Sequence, residues 1–218
     1  MRIQPCRARW KGSISDRERF NNQMHYRPVD RCFNMEFGYW NENFEVWTIF
    51  KDNHIKSNAE ADIFFNFDRI VNYAGKHEIL PPFENKVVEI RGNTKVIQNS
   101  DGLLAEVPLD DHDTIPHFIK STIETPDDWQ KCKRERFRLD DPARILDVEK
   151  IKQDHPPDRD YPLGIHCGSM IGRVRDMLTF EGLAYACYDY PEMVEDMVET
   201  RCRLVEQVLN QFYLTPDL

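Results

Sequence analysis

Apolar positions recur at helical spacing near the end of this chain: Met193, Met197, Val198, Leu204, Val205, Val208 and Leu209, with charges between them. That period predicts a long amphipathic helix over the stretch PEMVEDMVETRCRLVEQVLNQFY. Between Lys86 and Pro108 the pattern alternates instead, in KVVEIRGNTKVIQNSDGLLAEVPLD. Gly-Asn and Asp-Gly turn signals divide it, so strands are predicted at 86–91, 94–98 and 102–107, an antiparallel meander.

Local signals place the remaining elements. Ser15, with Glu18 three residues on, has capping-box spacing and predicts a short helix over 15–25. Pro28 restricts Arg27 and breaks it. CFNMEFGYW (32–40) reads as a strand, and NENFEVWTIFKD as a helix with Phe44, Trp47 and Phe50 or Lys51 near one face. A further helix is expected over 59–70 and a strand at VNYAG. Thr125 followed by Pro126 starts a charged helix, and DDPARILDVEKIKQD another. YPLGIHCG reads as a buried strand; SMIGRVRDMLT and FEGLAYACYD read as helices. Strands alternating with helices predict an α/β fold with a parallel sheet. Residues 1–14 are expected to be disordered or extended, and the linkers at 108–116 and 154–160 are candidate hinges within one domain.

Composition narrows the classes. The 218 residues are 40% hydrophobic, enough for a core, and a mean hydropathy of -0.66 means a well-solvated surface. A net charge of -9 repels phosphate backbones and argues against nucleic acid as a partner. No apolar run approaches the ~20 residues of a membrane span. The N-terminal stretch is basic without an apolar segment, so no secretory signal is read there, and a cytoplasmic location is expected. The six cysteines include no C-x-x-C pair, which excludes zinc-ribbon and thioredoxin patterns and favours reduced thiols. Asp111, His112, Asp113 and His117 lack regular ligand spacing and read as a solvated loop.

Four stretches, in order, resemble the uroporphyrinogen decarboxylase-like proteins. DRERFNNQMHYRPVDRCFNMEFGYW is similar to their opening helix and the P-V-D-R turn after it. TPDDWQKCK resembles their T-x-E-D-W-E helix. YPLGIHCGSMIGRVRDMLTFEG resembles a strand and helix ending in E-G, and YDYPEMVEDMVE the D-x-P-E-x-V-x-x-M helix. The resemblance covers residues 15 to about 214. It implies a TIM (β/α)8 barrel of which only the N-terminal part is present, with residues 86–108 as a β-meander excursion. It also implies an enzyme, a lyase or a methyltransferase, with a small-molecule substrate, a possible corrinoid partner protein and a possible homodimer. The fragment alone is expected to be inactive.

Signature residues of the decarboxylase do not carry over. Where the family reads R-Q-A-G-R-Y, this chain reads MEFGYW: Gly38 matches, while Glu36 and Tyr39 stand near the two arginines. The family's aspartate falls near Lys76 and its tyrosine near Arg175 or Asp176. Decarboxylation of uroporphyrinogen is therefore not expected. The methyltransferase branch implies zinc, but its ligands lie in the C-terminal half, so no cofactor or metal is assigned to these residues. The barrel rule that chemistry sits at strand C-termini makes Glu36, Tyr39, Trp40 and His166 candidate substrate-binding residues. Arg173, near a helix start, is a candidate anion contact; surface salt bridging is its simpler role. His166 and Cys167 are adjacent, so on a strand they point to opposite faces and cannot both line a cleft. The expected arrangement has His166 facing the pocket and Cys167 packed. A non-catalytic binding domain is the alternative from another class.

Overall fold

A computed structural model describes residues 3–110 and 115–213. Helix α1 (Asp16–Met24) begins where the capping signal stands: Ser15 Oγ accepts the Glu18 N–H at 3.1 Å. No strand follows at 32–40. Side chains take several backbone N–H groups of that segment instead. Phe33 donates to Gln23 Oε1 (2.9 Å), Asn34 to Asp68 Oδ2 (2.9 Å) and Tyr39 to Asn58 Oδ1 (2.7 Å), and Gly38 has φ 134°. With donors committed at both ends of the segment, a continuous ladder cannot run along it. The predicted helix over 41–52 divides into α2 (Asn41–Val46) and α3 (Thr48–Asp52), because Trp47 is extended at ψ 125°. Helix α4 (Asn58–Phe65) stops short of Ile70, ended by left-handed Asn66 at φ 56°. Strand β1 (Val71–Ala74) follows.

Strands β2 (Lys86–Arg91), β3 (Thr94–Gln98) and β4 (Leu104–Pro108) form the antiparallel ladder that the alternation predicts. A fourth strand, β5 (His117–Lys120), adds to β4. At four residues it carries too little alternation to be read from sequence. Helix α5 (Pro126–Arg136) has a full capping box between Thr125 and Asp128. The helix expected over 140–154 is broken. A 3-10 turn (Pro142–Arg144) and extended Ile145 precede α6 (Val148–Asp154). Arg144, only 1% exposed, gives its guanidinium to four backbone carbonyls, those of Lys76, Glu78, Arg136 and Arg138, which holds the turn in place. Strand β6 (Leu163–His166) leads to α7 (Met170–Leu178), α8 (Phe180–Asp189) and α9 (Pro191–Tyr213).

Strand β6 lies beside β1. Val71 N–H bonds Pro162 O and Gly75 N–H bonds His166 O, both at 3.1 Å, so the two strands run the same way. The expected barrel is corrected here. Among the described residues the fold is mixed α/β, with this two-stranded parallel sheet, a four-stranded antiparallel sheet and no closed barrel. A barrel needs eight parallel strands, each paired on both edges. Here the segment expected as the first strand has its donors capped by side chains, and most other strand residues enter hairpins, which force antiparallel pairing.

Two compact units divide the chain: Met1–Tyr73 with Pro156–Ile165, and Ala74–His155 with His166–Leu218. The first has an aromatic core of Phe44, Phe50, Ile55, Ala61 and Phe64, onto which Tyr39 and Phe65 pack. It also buries an ionic network. Arg19 is 2% exposed and forks onto Asp30 at 2.8 and 2.9 Å, while Asp68 is 4% exposed and takes both arms of Arg31 at 2.6 and 2.7 Å. Asp16 and Arg9 complete it. The second unit packs α5, α7, α8 and α9 around Trp129, Val174, Met177, Met197 and Leu204. On α9 the predicted stripe is the buried one: Met193, Met197, Leu204, Val205 and Val208 are each at most 9% exposed.

Candidate functional site

The second unit gathers charge at the ends of the parallel strands. Past β1 the chain runs Gly75, Lys76, His77, Glu78, and β6 ends at His166. Gly168 then turns the backbone at φ 67°, and Ser169 caps α7 by accepting the Gly172 N–H at 3.0 Å. A Cβ on Gly168 would stand 3.3 Å from a terminal nitrogen of Arg201 and 3.4 Å from the His77 ring, so glycine lets the corner sit on this pair.

His77 is buried, at 1% exposure. Its Nε2–H donates to His166 O at 2.9 Å, and its Nδ1 accepts from Arg201 at 3.2 Å. These partners fix the neutral Nε2–H tautomer. Glu78 is the hub of the cluster. One carboxylate oxygen lies 3.3 Å from His77 Nδ1; the other is 2.5 Å from Arg173 and 3.8 Å from Arg201. Arg173 also meets Asp101, in the turn between β3 and β4, at 3.0 Å, and Asp176 at 3.5 Å. Arg201 is 1% exposed, and the Nε atoms of both Arg173 and Arg201 have no hydrogen-bond partner among the described residues.

Burial pulls the Arg201 guanidinium down from its ordinary range, although it stays charged. For Arg173 burial works in the same direction, but the charges of Asp101 and Glu78 outweigh it and the net shift is upward. Burial also lowers the His77 pKa, against the hydrogen bond to His166 and the charge of Glu78. An imidazole that is neutral, buried and bonded through both nitrogens has no free position for proton transfer. The chemistry on offer is therefore recognition: two guanidinium groups arranged for carboxylates, each incompletely satisfied at Nε among the described residues.

A pH effect follows. The unfolded chain protonates His77 near 6.5, whereas the folded chain resists until lower pH, so stability is complete above 6.5 and falls as pH drops below it. Between pH 7.5 and 5.5 the second unit should lose more stability in the native chain than in His77→Gln. Denaturant titrations of both at the two pH values check this; equal losses would contradict it.

The sequence candidates are placed as follows. Arg173 stands inside the cluster. His166 is exposed at the strand end, and its carbonyl accepts from both Gly75 and His77. Cys167 is half-buried, and burial pushes its thiol up. Glu36, Tyr39 and Trp40 belong to the first unit. Tyr39 packs its ring 5.0 Å from Phe50, and Trp40 is exposed at the start of α2. Glu36 lines a cavity of about 320 Å³ with Met35, Asp62 and Arg69.

Sequence reasoning missed His77, Glu78, Asp101 and Arg201. Two signals were present. His77 and Glu78 follow a predicted strand, and Arg201 interrupts the apolar stripe of α9, four residues after Met197 and three before Leu204. Asp111, His112 and Asp113 lie outside the described residues; His117 is exposed on β5. Among the described residues no group of three or more His, Cys, Asp or Glu is placed to hold a metal ion, and no helix is long and apolar enough to cross a membrane. Compared with models of protein families, with curated proteins and with solved structures, the chain shows no match.

Proposed function

We propose that this chain is a uroporphyrinogen decarboxylase-like protein that binds a small carboxylate-bearing molecule other than uroporphyrinogen, with Arg173 and Arg201 as its anion contacts. The observation that carries this reading is the Glu78 bridge. A side-chain carboxylate, 41% exposed, lies between a half-buried guanidinium and a fully buried one whose Nε has no acceptor among the described residues. A ligand carboxylate has the same geometry and can take the place of Glu78 as that side chain swings toward solvent. Support for the relationship comes from the four ordered stretches. Two of their motif residues, Arg19 and Asp30, grip each other by a two-pronged ion pair, so they act as one structural unit.

Glu78 is then an internal competitor, which gives the test an unusual sign. Titration calorimetry with succinate should show binding that weakens about 10-fold in Arg173→Gln and tightens several-fold in Glu78→Gln. Loss of binding in both variants, or turnover of uroporphyrinogen to coproporphyrinogen by the chain, would overturn the reading.

A further inference from the structure

Helix α8 carries two adjacent stripes at helical spacing. Glu181, Tyr185 and Asp189 form one; Gly182, Ala186 and Tyr190 form the other. All six line an open cavity of about 390 Å³ in the second unit, bordered also by the Ile119–Glu124 segment, the end of α7 and the start of α9. Gly182 and Ala186 leave room along the helix surface. Tyr185 and Tyr190, 64% and 39% exposed, present aromatic rings to the same space.

The charge of this cavity is unbalanced. Four charged residues line it: Lys120, Glu124, Glu181 and Asp189. Lys120 and Glu124 neutralise each other at 3.2 Å, which leaves two carboxylates. Among the described residues no ion pair or hydrogen bond reaches the side chain of Glu181 or Asp189. Asp189 is also the last residue of α8, whose last turn holds no basic residue. Aromatic faces and free carboxylates each favour a cation, and the volume suits an organic ligand better than a bare metal ion.

We infer that this cavity is a binding site for an organic cation, a primary ammonium carried on a short apolar chain, separate from the His77–Glu78–Arg173–Arg201 cluster. Tyr185 and Tyr190 take the apolar chain and the edge of the charge; Glu181 and Asp189 take the ammonium group. The ligand can be a free amine or a lysine side chain of a peptide, and two probes distinguish them: 1,4-diaminobutane, and a Gly-Lys-Gly peptide with blocked ends.

Calorimetric titration of the whole chain with each probe is the test. At least one should bind, and binding should weaken with added salt. Glu181→Gln with Asp189→Asn should weaken it about 10-fold, and Tyr185→Leu about 3-fold. All three positions are exposed, so circular dichroism should show these variants folded. Binding of the diamine alone identifies a small-molecule site, and binding of the peptide alone a peptide site. Absence of binding by both probes, or equal affinity in the doubly neutralised variant, would overturn the inference.

Discussion

Asp68→Ala should destabilise the first unit by about 3–5 kcal/mol. Asp68 is the acceptor at the centre of a buried network. It takes two bonds from Arg31 at 2.6 and 2.7 Å, the Asn34 N–H at 2.9 Å and Arg9 at 3.3 Å, with Arg19 at 3.8 Å. Alanine leaves the guanidinium group of Arg31, 12% exposed, without its counter-charge, and removes a neighbouring charge from Arg19. Removing one member of a buried ionic set costs far more than the set contributes, because the remaining charge stays desolvated. It also frees Asn34, whose bonds to Asp68 hold the 32–40 segment in its irregular path. Asp68→Asn keeps the shape and one acceptor, so its loss should be intermediate. Burial pushes the Asp68 carboxyl up, but the bonds to Arg31 and Asn34 and the charges of Arg31 and Arg19 outweigh this and hold it below the usual range. Its contribution is therefore complete at neutral pH and is lost only as pH falls below the ordinary carboxylate value. Amide exchange reads the effect unit by unit; unchanged protection over 16–70 in Asp68→Ala would refute it.

Gly75→Ala should cost the second unit about 2–3 kcal/mol, through space and not conformation. A Cβ there would stand 2.8 Å from the backbone oxygen of His166 and 2.5 Å from Cδ2 of His77. Neither can retreat. His166 O already accepts from Gly75 N–H at 3.1 Å and from His77 Nε2–H at 2.9 Å, and His77 is wedged against Arg201. Relief means parting the strand end from the imidazole, which opens the cluster. Gly92→Ala is the control. Its φ of 60° carries the left-handed penalty, but nothing lies within 4 Å of the added methyl, so its cost should stay at about 1 kcal/mol. Equal denaturation midpoints for the two variants would show that crowding at Gly75 is absent. A loss of succinate binding in Gly75→Ala, with none in Gly92→Ala, would tie the crowding to the site.

What the sequence by itself determined is what neighbours along the chain decide. Ser15 and Thr125 announce helix starts because a cap needs only the next three residues. The β2–β3–β4 meander is legible because Gly92 and Gly102 supply the positive φ that its turns require, and the residues between them alternate. The α9 stripe is legible because a helix repeats its buried face every three to four residues. What only the tertiary structure decided depends on partners distant in sequence. CFNMEFGYW has the composition of a strand, but Gln23, Asn58 and Asp68 claim its donors, and no local pattern encodes those side chains. The barrel expectation failed at that point, since it counted a strand whose hydrogen bonds were already committed. The cluster is hidden for the same reason. His77, Asp101, Arg173 and Arg201 span more than half of the chain, and only the pairing of β1 with β6 and the packing of α9 bring them together. A buried arginine within an apolar stripe was the clearer of its two traces in the sequence, because a desolvated charge is kept only where partners from elsewhere in the fold surround it.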